Sequence, residues 1–301
     1  MKKVFRIIGI VLGSIIGLIL LAGVVLYFMG NARLNKTYDF PPSSLTIPTD
    51  EASIAIGKHR AESLCAGCHG DDLSGVSNWF DQAPIGKIDS ANLTSGLGGV
   101  GREFTTDEDY VRAIRHGIDP NGKPTLMFAV PATSHLSDEE LADIIAYLKT
   151  IPPVDHETNG HQISPMGKIM LAAGQLGNLP VGDAIHEAHI PTVPTGVTVD
   201  YGKYMVDIED CRTCHGADLA GAMIPDPTIT KATPNLTPGG ELGVWTEEEF
   251  INTLRTGITP HGHELDQEFM SKKFFEKLTD DELKAIWMYL QSLPHLEQST
   301  P

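Results

Sequence analysis

The sequence predicts an all-α protein in which one long apolar helix precedes two similar helical units in tandem. Three observations lead there. A segment of 23 residues without a charge runs from Ile7 to Met29; the chain from about residue 51 onward says the same thing twice; and helix start and stop signals recur in both copies while no strand pattern of any length competes.

The first element is the membrane anchor, residues 1–36, "MKKVFRIIGIVLGSIIGLILLAGVVLYFMGNARLNK". A bilayer core takes about 20 apolar residues of helix, so the span 7–29 is long enough. A secretory signal peptide has a shorter apolar core of about 7–15 residues and ends in a small-residue cleavage site. No A-x-A follows here, and the segment reads as uncleaved. Lys2, Lys3 and Arg6 outnumber Arg33 and Lys36, which favours a cytoplasmic N-terminus with the body on the other side. Residues 37–50, "TYDFPPSSLTIPTD", read as an extended tether that lifts the body off the membrane.

A chain of 301 residues suits about two domains, and the internal repeat supplies them: unit one over 51–154 and unit two over 197–296, with 297–301 as a tail. Gly57-Lys58 returns as Gly202-Lys203, "ANLTSG" as "PNLTPG", and "TTDEDYVRAIRHGIDPNGK" as "WTEEEFINTLRTGITPHGH". The middle helices start at Thr106 and Thr246 and end at Gly117 and Gly257. The closing helices start at Ser137 and Thr279, each with a glutamate three residues on (Glu140, Glu282) in the capping-box pattern and acids in the first turn, and stop at Pro152 and Pro294. Residues 155–196 have Pro/Gly-rich flanks around a short amphipathic helix at Met166 to Leu176, which predicts an ordered strap between the units.

The chemistry lies in "LCAGCHGDDLSG" (64–75) and "DCRTCHGADLAG" (210–221), which hold all four cysteines of the chain. Cys-x-x-Cys-His is the spacing of covalent c-type haem attachment. Two thiols one helical turn apart add to the two haem vinyl groups, and the adjacent imidazole becomes the proximal iron ligand. A disulfide, half a zinc site or a thioredoxin-like pair would not repeat together with its histidine. The expectation is two covalently bound haems c, attached at Cys65 and Cys68 and at Cys211 and Cys214, with His69 and His215 on the irons.

The second axial ligands are expected from the loops before the closing helices, where His/Met ligation raises the potential. Met270 is the methionine of that loop in unit two. Met127 holds the place in unit one, with His135 or an open iron as alternatives. Arg115 and Arg255, with Asn92 and Asn235, sit at matching places and are candidates for haem propionate contacts, with a solvated surface as the alternative.

The two C-x-x-C-H-G motifs, the paired "NLT" segments, "AIRHG" and "TLRTG", and the closing "AYLKTIPP" and "MYLQSLP" resemble the class I cytochrome c domain, in tandem, over about residues 50–296. The resemblance implies two cytochrome c-like haem domains behind a single transmembrane helix, on the periplasmic side of the inner membrane. It also implies electron transport as the role, one electron at a time through haem iron. The pattern is similar to the cytochrome subunits of periplasmic dehydrogenase complexes. The partners expected are redox proteins, a basic cytochrome or a dehydrogenase or oxidase complex. Charge agrees with this. Net charge is −17, but five of the 22 basic residues precede Asp39, the first acid, leaving 17 basic against 39 acidic side chains, or −22. Such a body repels nucleic acid and attracts a basic partner. No G-x-G-x-x-G follows a strand, which argues against a dinucleotide domain. Three competing functions stay open: a di-haem peroxidase if haem one is five-coordinate, a permanently bound cytochrome subunit, and a gas sensor, for which no output domain is present.

Overall fold

The computed structural model describes residues 2–127, 129–176, 187, 189–222, 232–267, 270 and 272–299. The chain begins with α1 (Lys2–Leu34), 33 residues, which at 1.5 Å per residue extends roughly 50 Å. Among the described residues it is the one helix long and apolar enough to cross a membrane. Unit one holds α2 (Glu51–Leu64), α3 (Ala66–His69), β1 (Val76–Gln82), β2 (Gly86–Ser90), α4 (Asp107–His116), α5 (Val130–Thr133) and α6 (Asp138–Leu148). A connection with β3 (Gln162–Ile163) and α7 (Pro165–Ala172) leads to unit two, built from α8 (Val199–Ile208), α9 (Cys211–His215), α10 (Glu247–Thr256) and α11 (Asp280–Ser292).

The helix ends follow from local chemistry. Thr106 and Thr246 cap α4 and α10 in reciprocal capping boxes, and Gly117 and Gly257 end them in the left-handed conformation at φ 65° and 76°. Thr279 and Glu282 form the same box on α11. Ser137 caps α6 through the Glu140 N–H, but the Glu140 carboxylate is directed elsewhere, as described below.

In each unit the first helix crosses the last at a glycine. A Cβ on Gly57 would lie 1.9 Å from the Asp143 carbonyl oxygen, and one on Gly202 would lie 1.8 Å from that of Ala285, so the backbones of α2 and α6, and of α8 and α11, touch. Around these crossings Leu141, Ile144 and Ile145 join Met205, Ile208, Leu283 and Ile286 in one continuous core. Each such side chain contributes about 1.5–3 kcal/mol on burial. The two units therefore share an interior.

At the centre of that interior sits a charged residue. Arg60 of α2, 2% exposed, donates to Glu140 of α6 (2.8 Å), Glu282 of α11 (3.0 Å) and the Tyr201 hydroxyl of α8 (3.3 Å). Its other Nη lies 3.7 Å from Glu209. His59 pairs with Glu282 at 3.0 Å, and the Tyr204 hydroxyl donates to Glu140. The repeat makes His59 the counterpart of Tyr204, and Glu140 that of Glu282. Each unit thus reaches across to the other's glutamate, in a reciprocal pattern broken at Arg60, whose sequence counterpart is Met205, also fully buried.

Three parts depart from the sequence expectation. A three-stranded antiparallel sheet, β1-β2-β3, is present in an otherwise helical fold. Its alternation is illegible because Asn78 turns to φ 52° and the register slips between Val76 and Phe80. The segment expected as a tether lies against unit one: Ser43 is fully buried, and Leu45 and Ile47 pack on the shared core. Pro41, Pro42 and Pro48 pre-extend this stretch and lower the entropy lost in laying it down. The strap's helix α7 packs on the end of α1 rather than between the units. A Cβ on Gly30 would meet the Lys168 carbonyl at 1.9 Å, and Arg33 donates to the Leu171 carbonyl at 2.8 Å. Beyond it, Ile190 bonds Asp138 at the start of α6, and Val193 reaches the shared core.

Candidate haem sites

Each Cys-x-x-Cys-His turn is a short helix that directly follows the first helix of its unit. The N–H groups of Cys68 and His69 both donate to the Cys65 carbonyl, at 3.1 and 2.9 Å, which brings the two thiols to one side of a single turn. The chain then reverses identically in both units. Gly70, Leu73 and Gly75 have φ of 80°, 57° and 86°; Gly216, Leu219 and Gly221 have 84°, 62° and 90°. A left-handed leucine costs roughly 1–2 kcal/mol. Burial holds both in place, at 2% and 0% exposure, and their carbonyls accept from Leu93 and Leu236 at 2.8 Å.

The imidazoles are oriented from behind. His69 Nδ1 lies 2.6 Å from the Ala91 carbonyl oxygen and His215 Nδ1 lies 2.8 Å from that of Pro234. A carbonyl only accepts, so Nδ1 carries the hydrogen and Nε2 keeps its lone pair for a metal. Burial lowers the pKa of both rings, which keeps them neutral. Ser90 and Thr233 donate their hydroxyls to the carbonyls of Cys68 and Cys214, at 2.6 and 2.7 Å, and fix the other side of each turn.

The four thiols are unpaired, and burial pushes Cys65 up to about 12 and Cys68 to about 11, with Cys211 and Cys214 also raised. Among the described residues no three His, Cys, Asp or Glu side chains gather as a metal-ion site. The Trp245 Nε1–H is buried and has no hydrogen-bond partner among the described residues. A haem propionate placed there would supply the acceptor such a donor requires. Residues 52–148 match the family described as cytochrome C oxidase, cbb3-type, subunit III, and residues 199–294 match cytochrome c.

This chain carries two cytochrome c domains in tandem. Such a pair of domains holds two covalently bound haems c. It is 29% identical over 300 residues to the fructose dehydrogenase cytochrome subunit of Gluconobacter japonicus, covering 89% of this chain and 57% of that one. Against the diheme cytochrome c-type protein of Cereibacter sphaeroides it is 25% identical, covering 77% and 83%. Against the gluconate 2-dehydrogenase cytochrome c subunit of Pantoea cypripedii it is 28% identical, covering 83% and 62%. The chain spans little more than half the length of the first of these.

The remaining candidate residues of this tandem cytochrome are placed as follows. Met127 is half-buried and follows Leu126, whose φ is 56°; Met270 is half-buried against the shared core. His135 is half-buried in the field of Asp207, Lys203 and Arg212 of unit two, with a pKa lowered chiefly by burial. Arg115 donates to the Leu136 carbonyl and to Asp138, both at 2.9 Å. Arg255 donates to the carbonyls of Phe275 and Leu278, both at 2.6 Å, and to Asp280. These guanidinium groups brace the ends of the methionine loops against the closing helices. Asn92 and Asn235, expected to face propionates, donate instead to the Val154 and Leu296 carbonyls at 2.8 Å. Their side-chain oxygens accept from Thr94 and Thr237, and the threonine hydroxyls accept from Gly96 and Gly239. The "NLTxG" stretch is therefore a turn that holds the chain leaving the closing helix, and its Asn-x-Thr-x-Gly pattern was the sequence signal for it. Arg212, inside the second motif, has no sequence signal. It ties that turn to Asp207 (2.7 Å) and Tyr289 (2.6 Å).

Proposed function

We propose that this chain is a membrane-anchored di-haem cytochrome c that passes single electrons between redox partners as the cytochrome subunit of a dehydrogenase complex. The observation that carries the reading is the duplicated turn in which a histidine, half-buried in unit one and buried in unit two, has its Nδ1 engaged by a carbonyl and stands beside two unpaired thiols. The names of the relatives point to a dehydrogenase as the partner, and an acidic body suits a basic docking face.

In this reading Cys65, Cys68, Cys211 and Cys214 form the thioethers, His69 and His215 are the proximal ligands, and Met127 and Met270 complete the irons. His135 is turned toward charges of unit two, which supports Met127. The bound haem supplies one-electron iron chemistry. The chain's residues hold it, keep water from it and fix the imidazole tautomer. α1 is the anchor, and the excess of Lys2, Lys3 and Arg6 over Arg33 and Lys36 supports haem domains on the periplasmic face of the inner membrane.

The test compares the oxidised protein with Met127→Ala and Met270→Ala in the weak far-red band of iron–methionine ligation. Each variant is expected to lose about half of it. If Met127→Ala leaves the band intact while the reduced wild-type protein binds carbon monoxide at one haem, haem one is open and the electron-carrier reading gives way to the peroxidase one.

A further inference from the structure

The two cytochrome domains build the approach to their distal methionine in the same way but support it differently. After each middle helix the chain makes a small closed loop. Ile118 bridges Pro124, and the Thr125 N–H donates to the Gly117 carbonyl at 2.9 Å; Ile258 bridges Glu264, and the Leu265 N–H donates to that of Gly257 at 2.8 Å.

In unit two the outer side of this loop faces solvent. Ile258 is 46% exposed, and a Cβ on Gly262 would meet nothing within 4 Å. In unit one it is covered. Ile118 is fully buried, and a Cβ on Gly122 would lie 2.5 Å from the Tyr38 carbonyl oxygen.

The cover is the stretch that follows the anchor helix. The Tyr38 N–H donates to the Gly122 carbonyl at 2.8 Å, and Phe40 stacks on His116 with ring centres 4.6 Å apart. Leu34, in the last turn of α1, packs against the small cluster of Ile88, Leu171 and Leu126, the last being the residue immediately before Met127. His161 adds a hydrogen bond to the Thr125 carbonyl at 3.0 Å.

We infer that residues Leu34 to Phe40 are a positioning clamp on the distal loop of haem one, so that the end of the membrane anchor sets the ligation of that haem and not of haem two. This rests on Met127 as the sixth ligand. A loosened loop lets methionine leave the iron, which lowers the potential and opens a site for carbon monoxide.

The test uses the full-length haem-loaded protein in detergent micelles, with Phe40→Ala and Tyr38→Pro as clamp variants and His261→Ala as the matching change on the loop of unit two. Redox titration, the far-red band and carbon monoxide binding are read together. The clamp variants are expected to lower one of the two midpoint potentials and to admit carbon monoxide at one haem, with loss of up to about half of the band. His261→Ala is expected to match the wild type. If Tyr38→Pro fails to incorporate haem, Phe40→Ala carries the test. Met127→Ala runs alongside. If it halves the band while the clamp variants keep both potentials and exclude carbon monoxide, the clamp is wrong and the ligand assignment stands. If Met127→Ala leaves the band whole, the assignment falls and the clamp falls with it.

Discussion

Arg60 has no escape to water, and its partners lie 80, 141 and 222 residues away in the chain. Replacing it by methionine, the residue its counterpart Met205 already is, leaves Glu140 and Glu282 without their main cation. Breaking a buried pair in this way costs roughly 3–5 kcal/mol. Thermal unfolding of Arg60→Met should report a loss of that order, and an unchanged melt would mean that the network is not a stabilising one.

The same cluster sets a pH dependence. Burial pushes Glu282 up, but His59 and Arg60 overcome this and hold it at about 2, so its contribution is present above pH 4.5 and is lost as pH falls toward 2. His59 is raised above 6.5, first by its hydrogen bond to Glu282, so its contribution is full below pH 6.5 and is lost as pH rises through the raised value. Burial pushes Glu209 up to about 8, so its contribution is full below pH 4.5 and is lost as pH rises from there through 8. The contact between units should be tightest near pH 4.5, with Glu209 weakening it above that value and His59 adding to the decline above pH 6.5. In denaturant titrations across pH, Glu282→Gln should flatten the acid limb and His59→Ala the decline above pH 6.5; a His59→Ala profile parallel to the wild type would contradict this.

At the scale of elements, the glycine crossings are the least forgiving places. A methyl group on Gly57 or Gly202 must push apart two backbones already in contact, and overpacking of this kind costs about 1–3 kcal/mol. Gly57→Ala and Gly202→Ala should each lower the denaturant midpoint with the slope unchanged. A neutral result at either would show that the helices slide to make room.

The helices themselves were legible because a cap is a local event. Thr106, Thr246 and Thr279 accept from an N–H three residues away, and the sequence shows both partners at once. Attachment residues were legible for the same reason, since thiols and imidazole lie within five residues. The sheet, the packed "tether" and the duties of Asn92, Arg115 and Arg212 were not. Each depends on a carbonyl or a side chain contributed by another element, and composition carries no record of that meeting. Glu140 shows the limit sharply: its spacing from Ser137 reads as a capping box, but Arg60 and Tyr204 take its carboxylate.

For the whole molecule, a core continuous from Leu141 to Leu283 makes separate melting of the two domains unfavourable. Calorimetry of the haem-loaded protein should show one cooperative transition, with both haem absorptions changing together. Two resolved transitions would show that the shared interior is too weak to couple them. Arg60→Met is the variant in which such a split is expected first.

The broken reciprocal pattern has one more consequence, which concerns interchangeability. Two copies of unit one brought together in this arrangement would bring two Arg60 guanidinium groups to the shared pair of glutamates, and two copies of unit two would offer those carboxylates no such arginine. Neither half can stand in for the other. A duplication that began with equals has become a pair of complementary halves, matched through a single buried cation that unit one supplies.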